Sequence, residues 1–175
     1  MLSTLSDEPW RHCYRELAPK LILFARQWVP SIADAEDVVQ TAFVKFWRRQ
    51  PDAQPEHYPL LYSAVRSTAL DLLRGDHRRA RREADPAVEV LREDQPFFDA
   101  GIEQRETAGF VEEAMRRLPP EQREVLALRV WGELTFAQIA ETLGESINTV
   151  ASRYRYALEA LRRILKSYEP ERLRV

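Results

Sequence analysis

Along the chain, apolar positions recur with a helical period, and no segment shows the two-residue alternation of a half-buried strand. The clearest stretch is Leu134 to Arg163, LTFAQIAETLGESINTVASRYRYALEALRR. Thr135 and Gln138 form a T-x-x-Q capping box, in which the threonine oxygen takes a first-turn amide and the glutamine reaches back. Phe136, Ile139, Ala140 and Leu143 recur at i, i+3, i+4 and i+7, which predicts a two-turn helix. Gly144 stands where such a helix ends in the left-handed conformation. Ser146 is the expected N-cap of a second helix, with Ile147, Val150, Ala151, Tyr154, Leu158 and Leu161 on its stripe. Two helices joined by a short glycine-containing turn, the second longer and cationic, describe a helix-turn-helix. Thr149, Ser152, Arg153 and Tyr156 turn away from the stripe, flanked by Asn148 and Arg155. These are the groups with which a recognition helix meets base edges in a major groove. An ordinary helical hairpin with a solvated face is the competing account, but it leaves the agreement of cap, turn, stripe and polar face to coincidence.

Upstream, Tyr14, Leu17, Leu21, Phe24, Ala25 and Trp28 predict a first helix over residues 7–28, with Pro19 expected to kink or split it. Ser31 opens a second, Asp34 to Arg49, with Glu36 and Asp37 near the positive end of its dipole. Its stripe is Val38, Val39, Ala42, Phe43, Phe46 and Trp47. Gln50 to Pro59 holds Pro51, Pro55 and Pro59 and no glycine, a stiff extended loop. A third helix turns Leu60, Leu61, Ala64, Val65, Ala69, Leu72 and Leu73 inward, leaves Tyr62, Arg66, Ser67 and Arg74 off the stripe or at its edge, and frays into HRRARRE. Ala84 to Gly101, ADPAVEVLREDQPFFDAG, has no sustained period and marks a boundary, although Phe97 and Phe98 are unusual for a free linker. A helix resumes near Glu103 and runs to Leu118. Pro119 and Pro120 break it and open EQREVLALRVW, with Val125, Leu126, Leu128, Val130 and Trp131 expected beneath the helix-turn-helix. The prediction is an all-α protein of two small helical bundles joined by an acidic linker: residues 7–83, a linker at 84–102, and residues 103–168 with the helix-turn-helix.

Composition adds that the 175 residues, 45% of them hydrophobic, can build such cores, and that 31% charged residues keep the surface polar. A net charge of −2 looks wrong for a nucleic-acid binder until it is divided along the chain. Arg74 to Arg82 carries five arginines against Asp76, and Glu83 to Glu113 carries ten acids against Arg92 and Arg105. Ile147 to Lys166 carries Arg153, Arg155, Arg162, Arg163 and Lys166 against Glu159. Two basic patches flank an acidic segment, and it is the distribution that steers binding. No apolar run approaches the ~20 residues that span a bilayer, no secretory signal is visible, and Cys13 stands alone, so the cytoplasm is the expected compartment. His12, His57 and His77 lack metal-ligand spacing. Phosphate-binding glycine loops and nucleophile or zincin motifs are missing too. Neither a metal, a cofactor nor catalysis is expected; Asp34, Glu36 and Asp37 read as a dipole complement or a partner-binding face.

The helix-turn-helix, the DAEDVVQTAFVKFWRR helix and the LLYSAVRSTALDLLRGDHRRARR helix together resemble bacterial sigma factors of the sigma-70 family, in the compact extracytoplasmic-function group. The resemblance runs in order from about Cys13 to Leu165. Its specific carriers are Asp34 to Trp47 and Leu118 to Leu126, followed by the I-A-x-x-L-G…T-V-x-S-R pattern. It implies a specificity subunit that binds core RNA polymerase and promoter DNA, with an anti-sigma factor as a further candidate partner. The helix bearing Glu36, Asp37, Gln40, Phe43 and Trp47 would dock on a coiled coil of the polymerase. The third helix and the loop before it would bind the minus-ten element, with His57, Tyr58, Tyr62, Arg66, Ser67, Arg74, Arg78 and Arg79 as contacts. Asn148, Thr149, Ser152, Arg153, Arg155 and Tyr156 would bind the minus-thirty-five element, and the linker would thread the polymerase interior. Residue types agree with these roles: aromatic faces and cations suit unpaired bases, and a stiff loop can shape a pocket for one extruded base. Two positions depart from the common pattern, Ser67 where many members have Asn and Ala151 where many have Lys or Arg.

Two other classes compete. A stand-alone helix-turn-helix regulator would bind intact duplex without polymerase and need two half-sites. A helical adaptor that binds only protein leaves the outward face of the recognition helix unexplained.

Overall fold

The computed structural model describes residues 7–83 and 111–172, with side chains described for 10–75 and 111–167. Two compact units divide the chain, residues 1–93 and 94–175. All regular structure among the described residues is helical. The expected linker over 84–102 lies outside them, as do the residues near Glu103 where a helix was expected to resume.

The first unit contains α1 (Asp7–Ala25), α2 (Ile32–Arg49), a 3-10 turn at Pro55–His57 and α3 (Tyr58–Glu83). α2 packs on both α1 and α3, which also touch each other. Leu21, Phe24, Val39, Phe43, Leu61 and Val65 lie at the centre of this core. α1 runs from Asp7 to Ala25 with Pro19 inside it, so of the kink or split expected there the split does not occur. Pro19 sits on the solvent side with Arg15, whose carbonyl it deprives of an amide partner, so water can take that carbonyl while Leu17, Ala18, Leu21 and Ile22 hold the helix from the other side. Ser31 caps α2 as expected: its hydroxyl accepts from the Asp34 amide at 3.0 Å and donates to the Asp34 carboxylate at 2.6 Å.

α3 is rotated relative to its predicted stripe. Leu60 and Leu72 are exposed at 42% and 39%, while Leu61, Tyr62, Val65 and Ala69 face inward. Packing against α1 and α2 holds this phase. In the 3-10 turn before α3, the Gln54 amide donates to His57 Nδ1 at 2.9 Å and the His57 amide donates to the Gln54 carbonyl at 2.8 Å. Leu61 stays inside as expected, and the inward stripe loses Leu60 and gains Tyr62. Tyr62 then meets Phe24 edge-on, ring centroids 5.4 Å apart.

In the second unit, α4 (described over 111–116) leads to α5 (Pro120–Val130), α6 (Phe136–Leu143) and α7 (Ile147–Arg172). α5 and α6 both pack on α7, around Val125, Leu128, Ile139, Val150 and Ala157. Val130 and Ile147, expected inside, are each 54% exposed. They are the last residue of α5 and the first of α7, beyond the reach of the packing partner. Arg129 fixes the α5–α6 connection by donating to the Leu134 carbonyl at 2.8 Å, with its guanidinium over the Phe136 ring. The capping box forms as written in the residues: Gln138 N–H to Thr135 Oγ1 at 3.2 Å, and Thr135 N–H to Gln138 Oε1 at 2.9 Å.

Gly144 ends α6 with φ 67° and ψ 33°, and a Cβ placed there would meet nothing within 4 Å. The cost of a side chain is therefore purely conformational. Gly144→Ala is expected to lower stability by about 1–2 kcal/mol, read from the urea midpoint; an unmoved midpoint would show that the turn does not need a left-handed residue.

Candidate nucleic-acid and polymerase interface

Three surfaces gather the candidate residues. On α2, Glu36, Asp37 and Gln40 are exposed, but Phe43 is not, at 1%. The apolar stripe takes Phe43 inward, where it meets Tyr14 edge-on at 5.0 Å and Trp10 at 5.7 Å and stacks on Trp47 at 6.1 Å. Its expected contact with a partner gives way to a supporting role under half-buried Trp47. The apolar residue that does face solvent beside Asp37 and Gln40 is Val44, 43% exposed, which pattern reading passed over. A valine out of phase with the stripe was the available signal.

On the first unit's second face, α3 and the end of α2 enclose a cleft of about 470 Å³. Lys45, Phe46, Arg49 and Gln50 line it from α2; Leu60, Ser63, Ser67 and Asp71 are among its residues on α3. The rotation that exposes Leu60 makes this cleft. Of the described residues expected at the minus-ten element, only Ser67 lines it. Tyr62 is corrected to a core residue, 1% exposed, because its ring completes the contact with Phe24. His57 serves the cap before α3, and Tyr58 begins that helix with its hydroxyl hydrogen-bonded to the buried Cys13 thiol. Burial and that hydrogen bond push the Tyr58 phenol up to about 12, so it stays neutral and serves as a donor or acceptor only. Burial likewise raises the Cys13 thiol, against the lowering effect of Tyr58, which keeps it a poor nucleophile. Arg66 is half-buried on α3. Arg74 is exposed and pairs with Asp71 at 3.2 Å, a solvent-screened contact that a phosphate can displace at little cost. Arg78 and Arg79 lie on α3, and their side chains fall outside the described residues.

On the second unit, Ser146 caps α7: its hydroxyl accepts from the Thr149 amide at 3.0 Å and shares a 2.8 Å hydrogen bond with the Thr149 hydroxyl. Thr149 is thus half occupied with the helix start. Asn148, Arg155 and Tyr156 are exposed, Ser152 is half-buried, and Arg155 lies over the Tyr156 ring at 5.1 Å. Arg153 sits on the rim, about 60° around the helix from buried Val150. Its Nη2 donates to Glu145 at 3.0 Å across the turn. Among the described residues no group of three His, Cys, Asp or Glu could hold a metal ion, and no helix is long and apolar enough to cross a membrane.

Residues 13–79 match the family model for sigma-70 region 2, and residues 111–161 that for sigma-70 region 4. The RNA polymerase sigma-E factor of Streptomyces coelicolor is 32% identical over 142 residues, 81% of this chain and 77% of that protein. That of Streptomyces avermitilis is 31% identical over 147 residues, 84% of this chain and 79% of its own. This chain belongs to the sigma-70 family, in its extracytoplasmic-function group. The extracytoplasmic-function sigma factor SigK of Mycobacterium tuberculosis is 28% identical over 141 residues, 75% of this chain and 72% of that one. The fold agrees with the sigma factor RpoE of Bartonella quintana, solved in complex with the anti-sigma factor NepR, at a TM-score of 0.73 and 21% identity, covering 91% of this chain and 98% of that chain. The sigma factor described here is therefore a transcription regulator whose partners are core RNA polymerase and promoter DNA.

Proposed function

We propose that the two units divide promoter recognition, with residues 7–83 gripping core polymerase and melted minus-ten DNA, and residues 103–168 reading the minus-thirty-five duplex. The observation that carries this reading is the cleft between α2 and α3. Cationic Lys45 and Arg49, the hydroxyls of Ser63 and Ser67 and the exposed Leu60 bring together charge for a backbone, hydrogen-bond partners for a base edge and an apolar contact for a base.

Glu36, Asp37, Gln40 and Val44, with Trp47 behind them, form the polymerase-docking face of α2. Asn148, Ser152, Arg155 and Tyr156 approach the major groove, and Arg153 joins them from the rim. Residues 84–102, rich in carboxylates, are assigned to a cationic channel of the enzyme. The protein needs no catalytic group of its own, since polymerase performs the chemistry, and it acts in the cytoplasm. An anti-sigma factor that withholds it from polymerase would stand to this chain as NepR stands to RpoE.

Run-off transcription with core polymerase, this protein and genomic fragments tests the reading; new start sites are expected. Arg49→Glu, which puts an anion where a cation faces the DNA backbone, is expected to cut that product about tenfold or more, while the variant still co-elutes with core enzyme. Full product from the variant would take the cleft off the DNA path. A stand-alone regulator would instead bind paired half-sites without polymerase.

A further inference from the structure

Glu145 is the unexpected group at the helix-turn-helix. It is an acid on a surface that should approach phosphates, and it is not part of the candidate base-reading set. Its backbone is fixed: the Glu145 amide donates to the Ala140 carbonyl at 3.0 Å, closing α6 beyond Gly144. From that anchor its carboxylate reaches past the N-cap of α7 to Arg153 Nη2 at 3.0 Å. The side chains remain 36% and 27% accessible, so the pair faces the solvent that DNA would displace. Pairs such as Arg116 with Glu112 follow helical i,i+4 spacing. The Arg153 pair instead joins the turn to the second helical turn of α7.

We infer that Glu145 is a positioning residue that aims Arg153 at a base edge and keeps it off the phosphates. The inference rests on the proposal that α7 enters the groove. The position of Arg153 on the rim does not by itself direct a long, flexible side chain outward. A guanidinium carries five N–H donors in one plane. With one Nη2 hydrogen committed to a fixed carboxylate, the plane is set and the remaining donors are presented together, the geometry a guanine O6 and N7 pair requires. Without the carboxylate, the same arginine can swing to a phosphate, which binds tightly but carries no sequence information. The carboxylate also repels the backbone, so it lowers affinity for every sequence while sharpening the choice among them.

The test uses holoenzyme assembled from core polymerase and full-length chain, selecting bound fragments from a library randomised across the upstream duplex element. Wild type, Glu145→Ala, Glu145→Gln, Arg153→Ala and the double variant Glu145→Ala/Arg153→Ala are compared. Glu145→Ala is expected to flatten base preference at the position that Arg153→Ala flattens, by about five- to tenfold. It should also raise binding to scrambled DNA about threefold and steepen the salt dependence by about one phosphate. Glu145→Gln, which keeps an acceptor oxygen, should retain part of the preference. In the double variant the loss should equal that of Arg153→Ala alone. An unchanged preference in Glu145→Ala, or losses that add in the double variant, would overturn the positioning role while leaving base reading by Arg153 intact. No effect of Arg153→Ala on any position would overturn both. A purely structural role for Glu145 would lower affinity for all sequences alike and also overturn it.

Discussion

Phe43→Ala is expected to destabilise the N-terminal unit by about 3–5 kcal/mol, the range for removing a buried phenyl ring. The ring is 1% exposed and meets Trp10, Tyr14 and Trp47, so its deletion leaves a cavity bordered by three aromatic neighbours that cannot all close inward. Domains of this size are held by only about 5–15 kcal/mol, so the variant should populate unfolded chain under mild conditions. Urea unfolding followed by tryptophan fluorescence reads this directly, because two of the neighbours are Trp10 and Trp47. A loss below about 1 kcal/mol would mean that the ring is not packed as placed. Weak polymerase association in Phe43→Ala would then report a damaged fold rather than a lost contact.

Val44→Glu is expected to do the opposite, leaving the fold intact and weakening association with core polymerase about thirtyfold. Val44 is 43% exposed, so little buried surface is lost, and a surface substitution of this kind usually stays within about 0.5 kcal/mol in stability. A truncated or repelled interface anchor costs about 2 kcal/mol or more in binding. Fluorescence anisotropy of labelled protein titrated with core enzyme measures the affinity, with the urea midpoint as control. A Val44→Glu chain that binds core as wild type does would remove this face of α2 from the interface. Taken as a pair, the adjacent positions 43 and 44 separate stability from docking, which neither substitution does alone.

The aromatic residues show where pattern reading loses information. Phe43 and Tyr62 have the side chains that a binding face would use, and both belong to the core. Type alone cannot distinguish them, because an aromatic ring is equally suited to bury area and to stack on a base. On α3 the apolar run Leu60, Leu61 and Tyr62 permits two helical phases, and the one adopted is that in which Tyr62 packs on Phe24. That choice brings Leu60 to the surface and opens the cleft beside Ser63 and Ser67.

Local signals decided the architecture without help. The Thr135–Gln138 capping box, Gly144, the Ser31 and Ser146 caps and the apolar periods act within a few residues of themselves, so the linear sequence contains both partners of each interaction. Helix existence, the helix-turn-helix and the family motifs were legible for that reason. The Glu145–Arg153 pair, the exposure of Val44 and the shared cleft of α2 and α3 became visible only in the folded chain. Each depends on how one helix is rotated against another, and that rotation is set by the packing of whole faces.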